Sequence, residues 1–215
     1  MLTQGINFKN FKTKKRSLNS GIKKTLNFLI KEKSQLILSL GKDYKNNFSE
    51  NLIKKYKRYK NFRVIGMGGS SLGTQTIYDF LRDKIKKNFF FVDNLNARSD
   101  KKFKNEVNLV VSKSGNTIET IVNSNILIKK KQKNIFIIEN KKNYLRTLGE
   151  KLKADIVNHN NFIGGRYSVL SEVGMLPAEL MGLKSENFKQ FDSLINNKKF
   201  INSLISSVNT TLHLI

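Results

Sequence analysis

Apolar positions follow two regimes along this chain. Over residues 1–60 they recur at helical spacing: Ile22, Leu26, Leu29 and Ile30 form one stripe, and Leu52, Ile53 and Tyr56 another. Residues 36–40 bridge the two, and Gly41 is placed to stop a helix. From Phe62 onward, short apolar runs alternate with helical faces. Residues 62–65, 89–92, 108–111 and 134–138 read as strands, with Ile156 and Val157 as a shorter fifth. Ile77, Phe80, Leu81 and Ile85 make a helical face after the first strand. Ile118, Ile121, Val122 and Ile126 do so after the third. Repeated β-then-α units of this length predict right-handed crossovers and a mostly parallel, five-stranded sheet buried on both faces, an α/β fold. The expected organisation is a helical segment over 1–60, a sheet domain over 61–184 and a helical stretch over 185–215.

Length and composition narrow the possibilities. A chain of 215 residues, 39% of them hydrophobic, supports one packed domain with additions. The absence of cysteine excludes disulfides and thiolate metal sites. The two histidines, His159 and His213, form no metal-ligand spacing, and both read as surface residues. No apolar run approaches membrane-spanning length, and residues 1–16 lack the apolar centre of a secretory signal. A cytoplasmic protein is expected. The net charge of +24 suggests a polyanion partner, but the lysines are spread along the chain rather than gathered in one tail. The abundance of Lys, Asn, Ile and Phe also matches codons rich in A and T. Without a zinc finger, KH loop or RNP-type strand, no specific nucleic-acid partner is expected. A positive field of this size still draws small phosphorylated anions.

The candidate chemistry lies where strands hand over to helices. Between the third strand and its helix runs Ser112-Lys113-Ser114-Gly115-Asn116-Thr117. Hydroxyls, a glycine that permits close backbone approach and free N–H groups at a helix start together describe a phosphate cradle. The same residues also describe a polar loop capping a helix through Ser114 or Asn116. After the first strand comes Gly66-Met67-Gly68-Gly69-Ser70-Ser71-Leu72-Gly73. Ser71 stands where a dinucleotide fingerprint has its third glycine, and Asp93 ends the second strand somewhat late for a ribose-binding acid. A nicotinamide site is therefore a rival reading, although it leaves the second hydroxyl-rich loop without a task. Two such loops at neighbouring strand ends suit one compact phosphate held from both sides. A third block, Gly164-Gly165-Arg166-Tyr167-Ser168, allows a close turn that aims a guanidinium either at an oxyanion or into a surface ion pair.

Taken in this order, these three blocks resemble the signatures of the glucose-6-phosphate isomerase family. Asp93-Asn94 and the continuation Val169-Leu170-Ser171-Glu172-Val173-Gly174-Met175-Leu176-Pro177-Ala178 fit as well. The resemblance covers residues 62–182, the family's amino-terminal sugar-isomerase (SIS) domain. It implies an aldose–ketose isomerase of glycolysis and gluconeogenesis, interconverting glucose 6-phosphate and fructose 6-phosphate through a cis-enediolate. It further implies no redox cofactor, no metal and a homodimer. By matched position, Gly69, Ser70, Ser112, Lys113, Ser114 and Thr117 would hold the substrate phosphate. Arg166 would lie near C1 and C2 and offset the enediolate charge. Glu119 would organise Lys113 or the loop, since a carboxylate beside a dianionic phosphate is a poor choice of base. Family members continue into a second SIS domain carrying the catalytic glutamate, a ring-opening histidine and a lysine, and no motif here matches those. The chain is thus expected to be truncated before the base, binding hexose 6-phosphates with little turnover. A non-catalytic SIS module that senses a phosphosugar is the alternative.

Overall fold

The computed structural model describes residues 20–32, 34–95, 105–129 and 131–213. Expectations placed on residues 1–19 and 214–215 lie outside these. Five strands form one sheet: β1 (Asn61–Ile65), β2 (Asn88–Val92), β3 (Glu106–Val111), β4 (Lys133–Glu139) and β5 (Asp155–His159). All pairs are parallel and the spatial order is β2-β1-β3-β4-β5. Four strands grow by one or two residues beyond the apolar run that predicts them, and β5 grows by three. Apart from the buried Val107, the added positions are polar residues, and several have ladder partners, as in Asn61 opposite Asn88 and Glu106.

From β1 to β2 the chain winds one way, and from β3 through β5 it winds the other. Right-handed crossovers therefore send the connecting helices to opposite faces. On one face Phe62, Val64, Val107, Leu109, Val111, Ile135 and Ile137 pack with Ile77 of α4 (Leu72–Phe80) and Tyr56 of α3 (Glu50–Tyr56). The same cluster takes in the buried helix α7 (Glu172–Met181). On the other face Ile65, Val110, Phe136 and Ile138 meet Ile121 of α5 (Ile118–Leu127) and Leu145 of α6 (Tyr144–Lys151). Phe62 and Phe89 stack at 4.9 Å across the β1–β2 pair.

Two of the apolar stripes behave differently from their helical reading. Phe80 is exposed where α4 ends, while Ile77 and Ile85 of that face are buried. On α5, Ile118 and Ile126 face solvent while Thr120, Asn123 and Ser124 are buried. The sheet face on that side includes a buried polar group: the Arg63 guanidinium meets the Glu106 carboxylate at 2.7 Å, and Asn108 donates to Asn134 at 2.8 Å.

The chain divides into residues 45–188, which hold the sheet with α3 through α7, and a unit made of 1–44 with 189–215. The expected boundaries at 60 and 184 move accordingly: α3 belongs with the sheet, and the first and last segments group together. In the second unit, α1 (Ser20–Lys31) packs against α9 (Lys198–Leu212), while α2 (Gln35–Leu40) ends at Gly41 as its sequence predicts. The short α8 (Phe191–Ile195) precedes α9.

Candidate functional site

The strand order reverses between β1 and β3, and open α/β sheets bind ligands at the carboxyl ends flanking such a point. Both hydroxyl-rich loops leave the sheet there. After β1 the chain makes a 3-10 turn, Gly68–Ser70, in which Gly68 takes a positive φ of 54°. A methyl group on Gly66 would lie 2.9 Å from the Val111 carbonyl oxygen and 3.1 Å from the Ser70 Cβ. Ser70 is thus folded back over the end of β1, beside the end of β3. Its hydroxyl has no hydrogen-bond partner among the described residues.

The loop after β3 is fixed from within and from its neighbour. Ser112 is buried, and its Oγ lies 3.0 Å from the Thr117 Oγ1 and accepts the Gly115 N–H at 3.2 Å. Gly115 has φ 66°, and any side chain there would run into the Asn143 amide. The loop in turn satisfies the start of α6: Leu145 N–H donates to the Gly115 carbonyl and Tyr144 N–H to the Asn116 side chain. Thr117, rather than Ser114 or Asn116, occupies the N-cap position of α5. Its hydroxyl turns to Ser112, and no side chain caps the first N–H groups of α5. Those donors and the positive end of the helix dipole lie at the carboxyl end of β3 and suit an anion. Ser114 is exposed and accepts from Asn116 N–H at 3.2 Å.

Lys113 pairs with Glu139 at 3.5 Å rather than with Glu119. Glu139 ends β4 next to β3, and its N–H continues the ladder to the Lys113 carbonyl at 3.1 Å, so its side chain lies alongside. Glu119 sits in the first turn of α5 and has no ion-pair partner among the described residues. Lys141 approaches the second Glu139 oxygen at 3.5 Å, so this carboxylate serves two cations at the rim of the crevice.

The third block closes onto the first. A methyl group on Gly69 would collide with the Gly165 carbonyl and stand 2.9 Å from the Arg166 nitrogen. Ser168 Oγ donates to the Gly165 carbonyl at 2.7 Å and reaches the Gly69 carbonyl at 3.3 Å. Arg166 is exposed and has no hydrogen-bond or ion-pair partner among the described residues. Gly69 joins the first and third loops directly, and Gly66 lies close to both Ser70 and the end of β3.

His159 departs from its sequence reading. It is buried, with Nδ1 3.3 Å from the Glu172 Oε2 and Nε2 3.1 Å from the Ile163 carbonyl. Sequence reasoning gave no role to Glu139, Asn143 or Glu172. Only the polar residue at a strand end or helix start marks them, and their partners lie on other elements. Among the described residues no group of three or more His, Asp or Glu side chains is arranged to hold a metal. No helix among them is long and apolar enough to cross a membrane.

Known proteins resemble this chain in sequence and in fold. The chain is 33% identical over 174 residues to the glucose-6-phosphate isomerase of Methanocaldococcus jannaschii, covering 72% of this chain and 42% of that protein. It is 34% identical over 139 residues to the enzyme of the same name from Borreliella afzelii, covering 56% of this chain and 26% of the relative. The chain thus spans less than half the length of these relatives. Among solved structures, a hypothetical protein from Thermus thermophilus aligns over 91% of this chain and 52% of its own, with TM-score 0.67 and 20% identity. A tagatose-6-phosphate ketose/aldose isomerase from Escherichia coli aligns over 75% and 47%, with TM-score 0.51 and 14% identity. These two likenesses speak to the fold. Residues 42–209 match the family model described as phosphoglucose isomerase, a span that holds all three loops and the whole sheet. With that span and the sequence kinship to the archaeal enzyme, the chain belongs to the phosphoglucose isomerase family.

Proposed function

We propose that this chain supplies the phosphate-binding and enediolate-stabilising part of an isomerase that interconverts glucose 6-phosphate and fructose 6-phosphate. The observation that carries this reading is the meeting of three loops at one reversal of strand order, with Gly69 packed against Gly165 and Arg166.

In this reading Ser70, Ser112, Ser114 and Thr117, with the backbone around Gly69 and the first N–H groups of α5, hold the phosphate. Lys113 contributes charge from the loop's rim. Neutral donors suit a dianion because they need no proton exchange to accept it. Arg166 faces C1 and C2 of the opened sugar. Removal of the C2 proton leaves negative charge on the C1 and C2 oxygens of a cis-enediolate, and return of a proton to C1 completes the transfer. A guanidinium remains protonated throughout, so it lowers the energy of that charge without competing for the proton. Glu119 and Glu139 sit beside the phosphate loop, where a nearby dianion disfavours proton abstraction by a carboxylate. We assign the base to polypeptide other than this chain, consistent with its spanning less than half of its relatives.

Two measurements on the same protein test the proposal. Fructose 6-phosphate raises the melting temperature while fructose and NAD do not, and a coupled assay shows isomerisation lowered by about 10²–10⁴-fold, the usual cost of lacking a general base. Full turnover by this chain would refute the assignment of the base. Stabilisation by NAD alone would refute the phosphosugar site.

A further inference from the structure

We propose that His159 and Glu172 form a brace that positions Arg166, which makes His159 a positioning residue for the site proposed above. The inference rests on that reading of Arg166. His159 is the last residue of β5 and Glu172 the first of α7, so the pair spans the base of the loop that carries Gly164, Gly165 and Arg166.

The hydrogen bonds define what each atom contributes. A carbonyl oxygen only accepts, so the 3.1 Å contact to Ile163 requires the proton on the His159 Nε2. The Nδ1 then shares one proton with the Glu172 Oε2 at 3.3 Å, whichever of the two groups carries it. The other Glu172 oxygen accepts the Asn47 N–H at 3.1 Å, and both Glu172 and His159 are buried. Burying two ionisable groups is costly unless their hydrogen bonds are made, and here each named polar atom has a partner.

The consequence falls on the loop. Ile163 is fully buried and directly precedes Gly164, so the His159 bond fixes one end of the Gly-Gly-Arg turn. Ser168 fixes the other, through the Gly165 and Gly69 carbonyls. Arg166 itself has no partner among the described residues, so the backbone turn held by these two anchors is what places it. Neither hydrogen bond of His159 reaches a phosphate loop. Loss of His159 should therefore misplace the guanidinium and leave the phosphate grip intact.

The test compares His159→Phe, His159→Gln and Glu172→Gln with the wild-type chain. Two ligands are titrated: inorganic phosphate, and an aldonic acid phosphate whose carboxylate stands in for the enediolate oxygens. His159→Phe and His159→Gln should weaken the aldonate phosphate by about tenfold or more while phosphate stays within about twofold. Glu172→Gln should bind both as wild type does, because its amide can donate to Nδ1 while its oxygen keeps the Asn47 N–H. Amide hydrogen exchange in the unliganded protein gives the second readout. Residues 164–167 should exchange faster in both His159 variants, with residues 66–71 unchanged. Equal loss of both ligands, or faster exchange throughout the sheet unit, would reduce the pair to a general stabiliser and overturn the brace. If the wild-type chain binds neither ligand, the phosphosugar reading falls, and the exchange comparison still decides whether His159 holds the arginine loop.

Discussion

Gly69→Ala puts the contact between the first and third loops under direct strain. The added methyl group would collide with the Gly165 carbonyl and lie 2.9 Å from the Arg166 nitrogen, against 3.4–4 Å for ordinary contact. Both neighbours are backbone atoms, so no side chain can swing aside, and the two loops must part. Overpacking of this kind costs about 1–3 kcal/mol. For a chain of this size each kcal/mol lowers the melting temperature by about 2–4 °C. Parting the loops also separates Ser70 from Arg166, and an error near 1 Å in such a site costs up to about 10²-fold. The matched control is Gly165→Ala, whose methyl group would meet nothing within 4 Å and whose φ is not positive. Melting curves with and without fructose 6-phosphate should show Gly69→Ala less stable and at least about tenfold weaker in binding. Gly165→Ala should melt as the wild type does. Equal melting temperatures for the two variants would refute the inferred contact.

Other perturbations reach different parts of the structure. Removing one hydroxyl with Ser70→Ala or Thr117→Val should lose about 1.5–3 kcal/mol of phosphate binding, about 10–100-fold by calorimetry, with melting temperature nearly unchanged for Ser70→Ala. Lys113→Met should weaken phosphate binding less, and that loss should shrink as salt is raised, because the ammonium is partly exposed and already paired with Glu139. Arg63→Met strands the buried Glu106 carboxylate and should cost about 3–5 kcal/mol in urea unfolding. Burial pushes Glu106 above its ordinary value of 4.5, with Arg63 pulling it partly back. A carboxyl raised in this way contributes stability below that ordinary value and loses it as pH climbs through the raised one. Wild type should therefore lose ground to Glu106→Gln as pH rises above 4.5, and parallel profiles would contradict this.

Much of the fold was legible because parallel strands buried on both faces leave continuous apolar runs, as in residues 108–111 and 134–138. The glycine- and hydroxyl-rich stretches after the first and third strands were legible for a related reason. They lie where an apolar strand gives way to a helix start, and that boundary is local. What escaped depends on residues distant in the chain. Ile118 and Ile126 keep helical spacing yet face outward, since the spacing of a stripe does not say which neighbour it meets. Lys113 lies only six positions from Glu119, but sheet order sets it beside Glu139 on the adjacent strand. His159 reads as a surface residue until Glu172 and Ile163 close around it. The grouping of the first and last segments likewise has no local mark.

Isothermal calorimetry of fructose 6-phosphate into the wild-type chain and into the Ser70→Ala/Thr117→Val double variant bears on the site most directly. Binding at a single site by wild type, with a loss of about 10²-fold or more in the double variant, is the predicted result. Equal affinity in the two proteins, or no heat from wild type, would mean that the ends of β1 and β3 do not share one phosphate.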